Sequence, residues 1–298
     1  MTIHEARKEI IKAIRHIYDQ DEANNVAELL MENLTKLTRS ERIIKGNELL
    51  SASQKELLSS SILRLQQHEP IQYVINEAWF AGMRFYVDKN VLIPRPETEE
   101  LVEWIINDIK SERVDVFTNK PFKSDETDQL KIADIGTGSG CIALALKKAM
   151  PRAEIWGFDH SEAALTVARR NGSSLDIRVD FQGVDFLDYE QHKFLPSVDI
   201  IVSNPPYIAI NDKSTLNPNV VNYEPHLALF VPDNDPLVFY KALIHYSTRR
   251  LHKNGRIYME INEAAGEEIK KLFVSAGMQK IEIKKDLQGK NRMVRVII

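Results

Sequence analysis

Apolar residues recur at spacings of three and four over the first 69 positions. Ile3, Ala6, Ile10, Ile14 and Ile17 form one stripe behind a Thr2/Glu5 capping box. Ala23, Val26, Ala27, Leu30 and Leu34 form a second, in a helix starting near Asp21. Leu58, Ile62 and Leu65 form a third, opened by a Ser53/Glu56 capping box. This spacing predicts a small helical bundle over residues 1–69. At Pro70 the pattern changes. Aromatic and β-branched residues dominate from Tyr73 to Val87, interrupted by Gly82, which predicts a β-hairpin connector over residues 70–90. In Leu92-Ile93-Pro94-Arg95-Pro96-Glu97-Thr98-Glu99 two prolines bracket an arginine. A helix then opens with Glu97, Glu99 and Glu100 in its first turn, where acids suit the helix dipole. The segment reads either as a stiff linker or as a rigid strap that sets Arg95 near a site.

Residues 110–129 are polar with no clear period and read as a surface loop. From Lys131 strand and helix patterns alternate. Strands are expected at 132–135, 154–158, 199–203, 255–261, 280–285 and 293–298, and helices at 141–150, 161–170, 235–251 and 263–276. Such alternation predicts an α/β domain over residues 91–298: a mostly parallel sheet with helices on both faces. The last two strands have no helix between them, so the final strand should run antiparallel.

The chain has 298 residues, 43% hydrophobic and 28% charged, which suits a globular protein. No apolar run approaches the ~20 residues of a membrane-spanning helix. One cysteine, Cys141, excludes an internal disulfide or a cysteine zinc site and fits a cytoplasmic location. No metal is expected. The net charge is -4, and residues 1–69 carry 10 Lys/Arg against 11 Asp/Glu. That balance argues against a large nucleic-acid footprint and suits a bundle that packs or recognises a protein.

Asp134-Ile135-Gly136-Thr137-Gly138-Ser139-Gly140 joins the first buried strand to a helix. Glycines let the backbone turn tightly and approach a ligand at the carboxyl end of a strand. The G-x-G-x-G spacing differs from the dinucleotide fingerprint, whose third glycine would fall on Cys141. The next strand ends in Asp159, 23 residues after Gly136. It reads as an acceptor for both ribose hydroxyls of a nucleoside, or as a cap for the helix beginning at Ser161. Farther on, Asp185 is placed to accept from an adenine amino group. Phe186 either stacks on the ring or belongs to the core.

The apolar strand Ile200-Ile201-Val202-Ser203 runs into Asn204-Pro205-Pro206-Tyr207. Two prolines fix φ and remove two backbone donors. What remains is an acceptor set, the Asn204 side-chain oxygen and the Pro205 carbonyl. A planar NH2 group can donate one hydrogen to each while Tyr207 lies against its face. An amide nitrogen is a poor nucleophile because its lone pair is delocalised. Holding both N–H bonds orients such a nitrogen and leaves its lone-pair face open. Orientation of this kind supplies on the order of 7–11 kcal/mol at its upper limit.

The glycine loop, Asp159 and Asn204-Pro205-Pro206-Tyr207 resemble the class I S-adenosylmethionine-dependent methyltransferases, Rossmann-like enzymes that modify planar amino groups. Within them the chain resembles the PrmC/HemK family, the methyltransferases of class I peptide-chain release factors. The resemblance covers nearly the whole chain. It includes Glu69-Pro70-Ile71-Gln72-Tyr73, the strap Ile93 to Glu99, Tyr223-Glu224-Pro225 with Ala228-Leu229, and Gly289-Lys290-Asn291-Arg292. Asn76 stands where many members have glycine, Phe186 where some have tryptophan, and the stretch 110–129 is longer than usual.

The resemblance implies methyl transfer from S-adenosyl-L-methionine to the side-chain amide of the glutamine in the Gly-Gly-Gln motif of a release factor. It implies donor contacts at Asp134, Gly136, Thr137, Gly138, Ser139, Gly140, Asp159, Asp185, Phe186 and Asn204. Asn204, Pro205, Pro206, Tyr207 and Arg95 would meet the substrate, with Asn204, Pro205 and Tyr207 at the chemistry. Adenine-N6 methylation of DNA or RNA uses the same tetrapeptide but needs a flipped base and a basic groove. A non-catalytic binding module would leave one of these motifs damaged, and both are intact.

Overall fold

The computed structural model describes residues 1–111 and 129–298. The polar stretch 110–129, apart from its ends, lies outside them. The chain divides into two compact units: residues 1–77 with 216–223, and residues 78–215 with 224–298.

The first unit is helical. Helices α1 (Ile3–Ile14), α2 (Gln20–Thr35), α3 (Arg39–Ile44), α4 (Ala52–Gln66) and α5 (Ile71–Ile75) are joined by the later segment α9 (Pro218–Tyr223). The three expected stripes meet in one core that buries Ile10, Ile14, Ala23, Ala27, Leu30, Leu58 and Leu65. Thr2 and Glu5 form the expected capping box on α1, and Asp19 caps α2. Two expectations are corrected. The box that opens α4 is Ser51/Gln54, two residues before the expected pair. Tyr73–Ile75, expected in the hairpin, belong to α5, because Ile71 and Val74 lie three apart and enter the helical core. Arg64 closes the turn, donating to the Val74 and Tyr73 carbonyls at 3.0 Å each. Asn76 ends α5 in the left-handed region, φ +53°, which asparagine tolerates better than most residues.

The second unit begins with an antiparallel hairpin, β1 (Ala78–Phe80) and β2 (Met83–Phe85). Helix α6 (Pro96–Ser111) starts on a proline at its first position, with Glu97 and Glu99 in the first turn. Then follow β3 (Lys131–Ile135), α7 (Cys141–Ala149), β4 (Glu154–Asp159), α8 (Glu162–Leu175), β5 (Asp180–Gly183) and β6 (Val198–Ser203). After a two-residue parallel pair, β7 (Ile208–Ala209) with β8 (Phe230–Val231), come α10 (Val238–Arg250), β9 (Leu251–Glu260), α11 (Gly266–Ser275), β10 (Lys280–Lys285) and β11 (Asn291–Ile297).

The seven-stranded sheet has the order β10-β11-β9-β6-β3-β4-β5. Strand β11 is antiparallel to both its neighbours, as the missing final helix requires, and the other pairings are parallel. Ile200, Ile201 and Val202 of β6 are fully buried, as expected for a central strand covered on both faces. The order reverses at β3, which lies between β4 and β6, and a crevice at the carboxyl ends of such strands is where open α/β sheets bind ligands. Register decides what gathers there. Ile135 pairs with Phe158 and with Ser203, and Ser203 also pairs with Met259. Gly136, Asp159, Asn204 and Glu260 therefore leave the sheet at one level, one from each of four strands.

Candidate active site

A cleft of about 330 Å³ opens at this level. Gly136 and Gly138 turn the loop after β3 with φ of +72° and +53°. A Cβ built on either would meet no atom within 4 Å, so the bare backbone faces open space. Thr137, Ser139, Asp159, Asp185, Phe186, Asn204, Pro205, Pro206 and Arg95 also line the cleft. Three residues expected to contact a ligand do not form its wall. Gly140 is the N-cap of α7. Asp134 is fully buried behind the loop, where Oδ2 accepts from the Thr137 hydroxyl at 2.6 Å and from Ala143 N at 3.2 Å. Tyr207 is half-buried and turns its hydroxyl to Glu260.

Asp159 holds the loop from the next strand. Its Oδ2 accepts from Gly138 N and its Oδ1 from Ser161 N, both at 2.9 Å. Each oxygen keeps a further lone pair for a ligand. Ser161, not Asp159, is the N-cap residue of α8, accepting from Ala164 N. Burial raises the Asp159 pKa, opposed by those backbone donors. Asp185 accepts from Leu187 N at 3.0 Å. Phe186 packs in the core against His192, ring centroids 4.5 Å apart, and against Tyr246 edge-on, while also reaching the cleft wall. Cys141 is buried, its thiol pushed up to about 12 chiefly by burial, so it is inert at neutral pH.

The strap is pinned by Glu224, to which the sequence pattern alone assigns no role. Buried Glu224 accepts from Arg95 Nη2 at 2.5 Å and from Ile93 N at 3.3 Å. Asn171 was also missed. It accepts from Tyr86 N at 2.7 Å and donates to the Ser139 carbonyl at 2.9 Å, tying the glycine loop to the segment after the hairpin. Thr98 and Glu260 complete the site. Asn204 Nδ2 donates to Thr98 Oγ1 at 3.1 Å, Thr98 Oγ1 donates to Glu260 Oε2 at 2.7 Å, and the Tyr207 hydroxyl donates to Glu260 Oε1 at 3.2 Å. The available signal for Glu260 was an acid as the last residue of a strand, the place that Asp159 holds in β4.

Asp134 makes stability pH-dependent. Burial pushes its pKa from the usual 3.8 up to about 7, against the hydrogen bonds from Thr137 and Ala143. The folded chain holds that proton to about pH 7, whereas the unfolded chain releases it near 3.8. Stability therefore falls as pH rises through this window and the full loss applies above it, at about 1.4 kcal/mol per pH unit. Asp134→Asn keeps an acceptor for Thr137 and Ala143 and cannot ionise. Between pH 5 and pH 8 its unfolding free energy should gain a few kcal/mol relative to the wild type, measured by denaturant titration without ligand. A difference independent of pH would contradict the buried proton.

The chain matches the family models for the methyltransferase small domain over residues 111–222 and for the PrmC N-terminal domain over residues 5–75. It is 38% identical over 296 residues to a release factor glutamine methyltransferase of Flavobacterium psychrophilum, covering 99% of both chains. It is 36% identical over 285 residues to one of Bacteroides thetaiotaomicron, covering 96% of each. Among solved structures, the hMettl16 catalytic domain in complex with MAT2A 3'UTR hairpin 6 superposes with a TM-score of 0.52 at 16% identity, over 83% of this chain and 81% of that one. This last likeness concerns the fold. Among the described residues no helix is long and apolar enough to cross a membrane.

Proposed function

The chain belongs to the release factor glutamine methyltransferases, and we propose that it transfers a methyl group from S-adenosyl-L-methionine to the N5 side-chain amide nitrogen of the glutamine in the Gly-Gly-Gln motif of a class I release factor. The observation that carries this reading is the orientation of Asn204. Its NH2 is committed to Thr98, and its oxygen has no described protein donor. A carboxamide oxygen beside Pro205 at the rim of a nucleoside-sized cleft is an acceptor pair for a planar NH2 group.

The residues present fit the donor. Gly136 and Gly138 offer bare backbone to open space, and Asp159 closes the loop with an acceptor on each oxygen. When bound, the donor supplies an electrophilic sulfonium methyl. Asn204 Oδ1 and the Pro205 carbonyl take the two hydrogens of the target amide, fixing its plane and leaving the nitrogen face open. Asp185 and Phe186 suit the adenine end of the cleft, and Arg95, held by Glu224, suits the substrate end. Asp134 and Gly140 serve the donor indirectly by shaping the loop. A release factor as substrate sets the reaction in the cytoplasm.

The helical unit, nearly charge-neutral, suits recognition of the protein substrate. Removing residues 1–77 should leave donor affinity within about threefold by calorimetry and slow transfer to a whole factor at least tenfold. Equal rates would take recognition away from that unit. Adenine methylation is the competing chemistry for the tetrapeptide. Offered a whole release factor and duplex DNA side by side with labelled donor, the chain should label the factor. Label in the DNA would replace the glutamine reading.

A further inference from the structure

An asparagine carboxamide presents an acceptor on one side and two donors on the other, and the two sides have nearly the same shape. The methyl-transfer reading needs the acceptor toward the target NH2. Packing alone discriminates poorly between the two orientations, so something must select one.

We propose that Glu260, acting through the Thr98 hydroxyl, is the positioning residue that sets which side of the Asn204 carboxamide meets the target amide. The inference rests on the glutamine reading of the same site. Thr98 Oγ1 has a single hydrogen, and at 2.7 Å from Glu260 Oε2 that hydrogen goes to the carboxylate. An ionised carboxylate only accepts. Only lone pairs of the hydroxyl are left for Asn204, which must turn its NH2 toward Thr98, as found at 3.1 Å. Oδ1 is then forced to the other side. The same carboxylate takes the Tyr207 hydroxyl on its second oxygen. One buried group at the end of β9 thus holds both polar side chains of the tetrapeptide.

The surroundings suit this task. Glu260 is 2% exposed and Thr98 equally buried, so water does not compete for either hydrogen bond. Burial raises the Glu260 pKa, the neighbouring Glu97 acts in the same sense, and the Thr98 and Tyr207 donors and Arg292 oppose them. The Tyr240 hydroxyl donates to the Glu260 backbone carbonyl at 3.2 Å and holds the residue in place. Thr98 comes from α6 and Glu260 from β9, 162 positions apart, so the relay exists only once the sheet register is formed.

The test is single-turnover transfer to a whole release factor at saturating donor, combined with nuclear magnetic resonance of the Asn204 side-chain amide. Thr98→Val keeps the shape and removes the relay. It should slow transfer about tenfold, leave donor affinity unchanged, and speed solvent exchange of the Asn204 NH2 protons at least tenfold. Thr98→Ser restores the hydroxyl and should transfer within about threefold of the wild type. Glu260→Gln should also slow transfer. The double variant Thr98→Val/Glu260→Gln should lie within about threefold of Thr98→Val, because both changes break one chain.

Wild-type transfer by Thr98→Val, Thr98→Ser as slow as Thr98→Val, multiplying effects in the double variant, or equal exchange rates would overturn the relay. A wild-type chain that transfers nothing to the factor would instead overturn the glutamine reading. The exchange measurement, which needs no substrate, would still decide the relay.

Discussion

Asn204→Ala should lower single-turnover methyl transfer to a purified release factor at least about a hundredfold, with donor affinity changed by less than about threefold. On the proposed reading the substitution would remove the acceptor for one hydrogen of the target NH2 and leave that hydrogen unpaired. A lost buried hydrogen bond costs about 1–3 kcal/mol. Loss of the fixed amide plane adds to this, because the nucleophile then samples unproductive orientations. Thr98 loses its partner too, but its bond to Glu260 remains. Asn204→Asp is the sharper variant. It keeps an acceptor facing the cleft, yet offers Thr98 no donor and sets a second carboxyl close to Glu260. Its rate should fall between those of the wild type and Asn204→Ala. Transfer by Asn204→Ala near the wild-type rate, with donor held well above its dissociation constant, would mean that another part of the chain holds the amide.

Asp159→Ala should weaken donor binding at least about thirtyfold in calorimetry. A hydrogen bond to a charged group contributes roughly 1.5–3 kcal/mol, and two ribose hydroxyls would share this carboxylate. The structure adds a second source of loss, since Gly138 N, at the turn of the glycine loop, loses its acceptor. The fold itself should survive, because Ser161 keeps its own bond to Ala164 N at the start of α8. Affinity within about threefold of the wild type would confine Asp159 to a structural part in the loop.

The two polar side chains most legible in the sequence stand where a largely apolar strand stops. Asp159 ends β4 and Asn204 follows the last residue of β6, and a polar residue at such a point needs no tertiary information to be noticed. The elements that were misread are those where local patterns are degenerate. Both Ser51/Gln54 and Ser53/Glu56 satisfy the capping-box spacing. The earlier pair prevails because Gln54 also donates from Nε2 to the Leu34 carbonyl at the end of α2, a contact that no local pattern contains. Tyr73–Ile75 carry β-branched and aromatic residues, but Val74 and Ile75 pack into a helical core, which overrides their strand propensity. Strand β5 is short, exposes Asp180, Gln182 and Gly183, and buries only Phe181 among its four residues, so it gives almost no alternation to read. Thr98, Glu224 and Glu260 acquire their meaning from partners 106, 129 and 162 positions away. Strand order and register bring these pairs together, and neither can be read from spacing along the chain.

The position of the transferred methyl group tests the central claim most directly. A whole class I release factor is incubated with excess enzyme and S-adenosyl-L-methionine for one turnover, digested, and mapped by fragment mass spectrometry. One methyl group on the side-chain amide nitrogen of the Gly-Gly-Gln glutamine, absent with Asn204→Ala, is the expected result. A methyl group on any other residue of the factor, or an unmodified factor beside methylated adenine in added DNA, would contradict it.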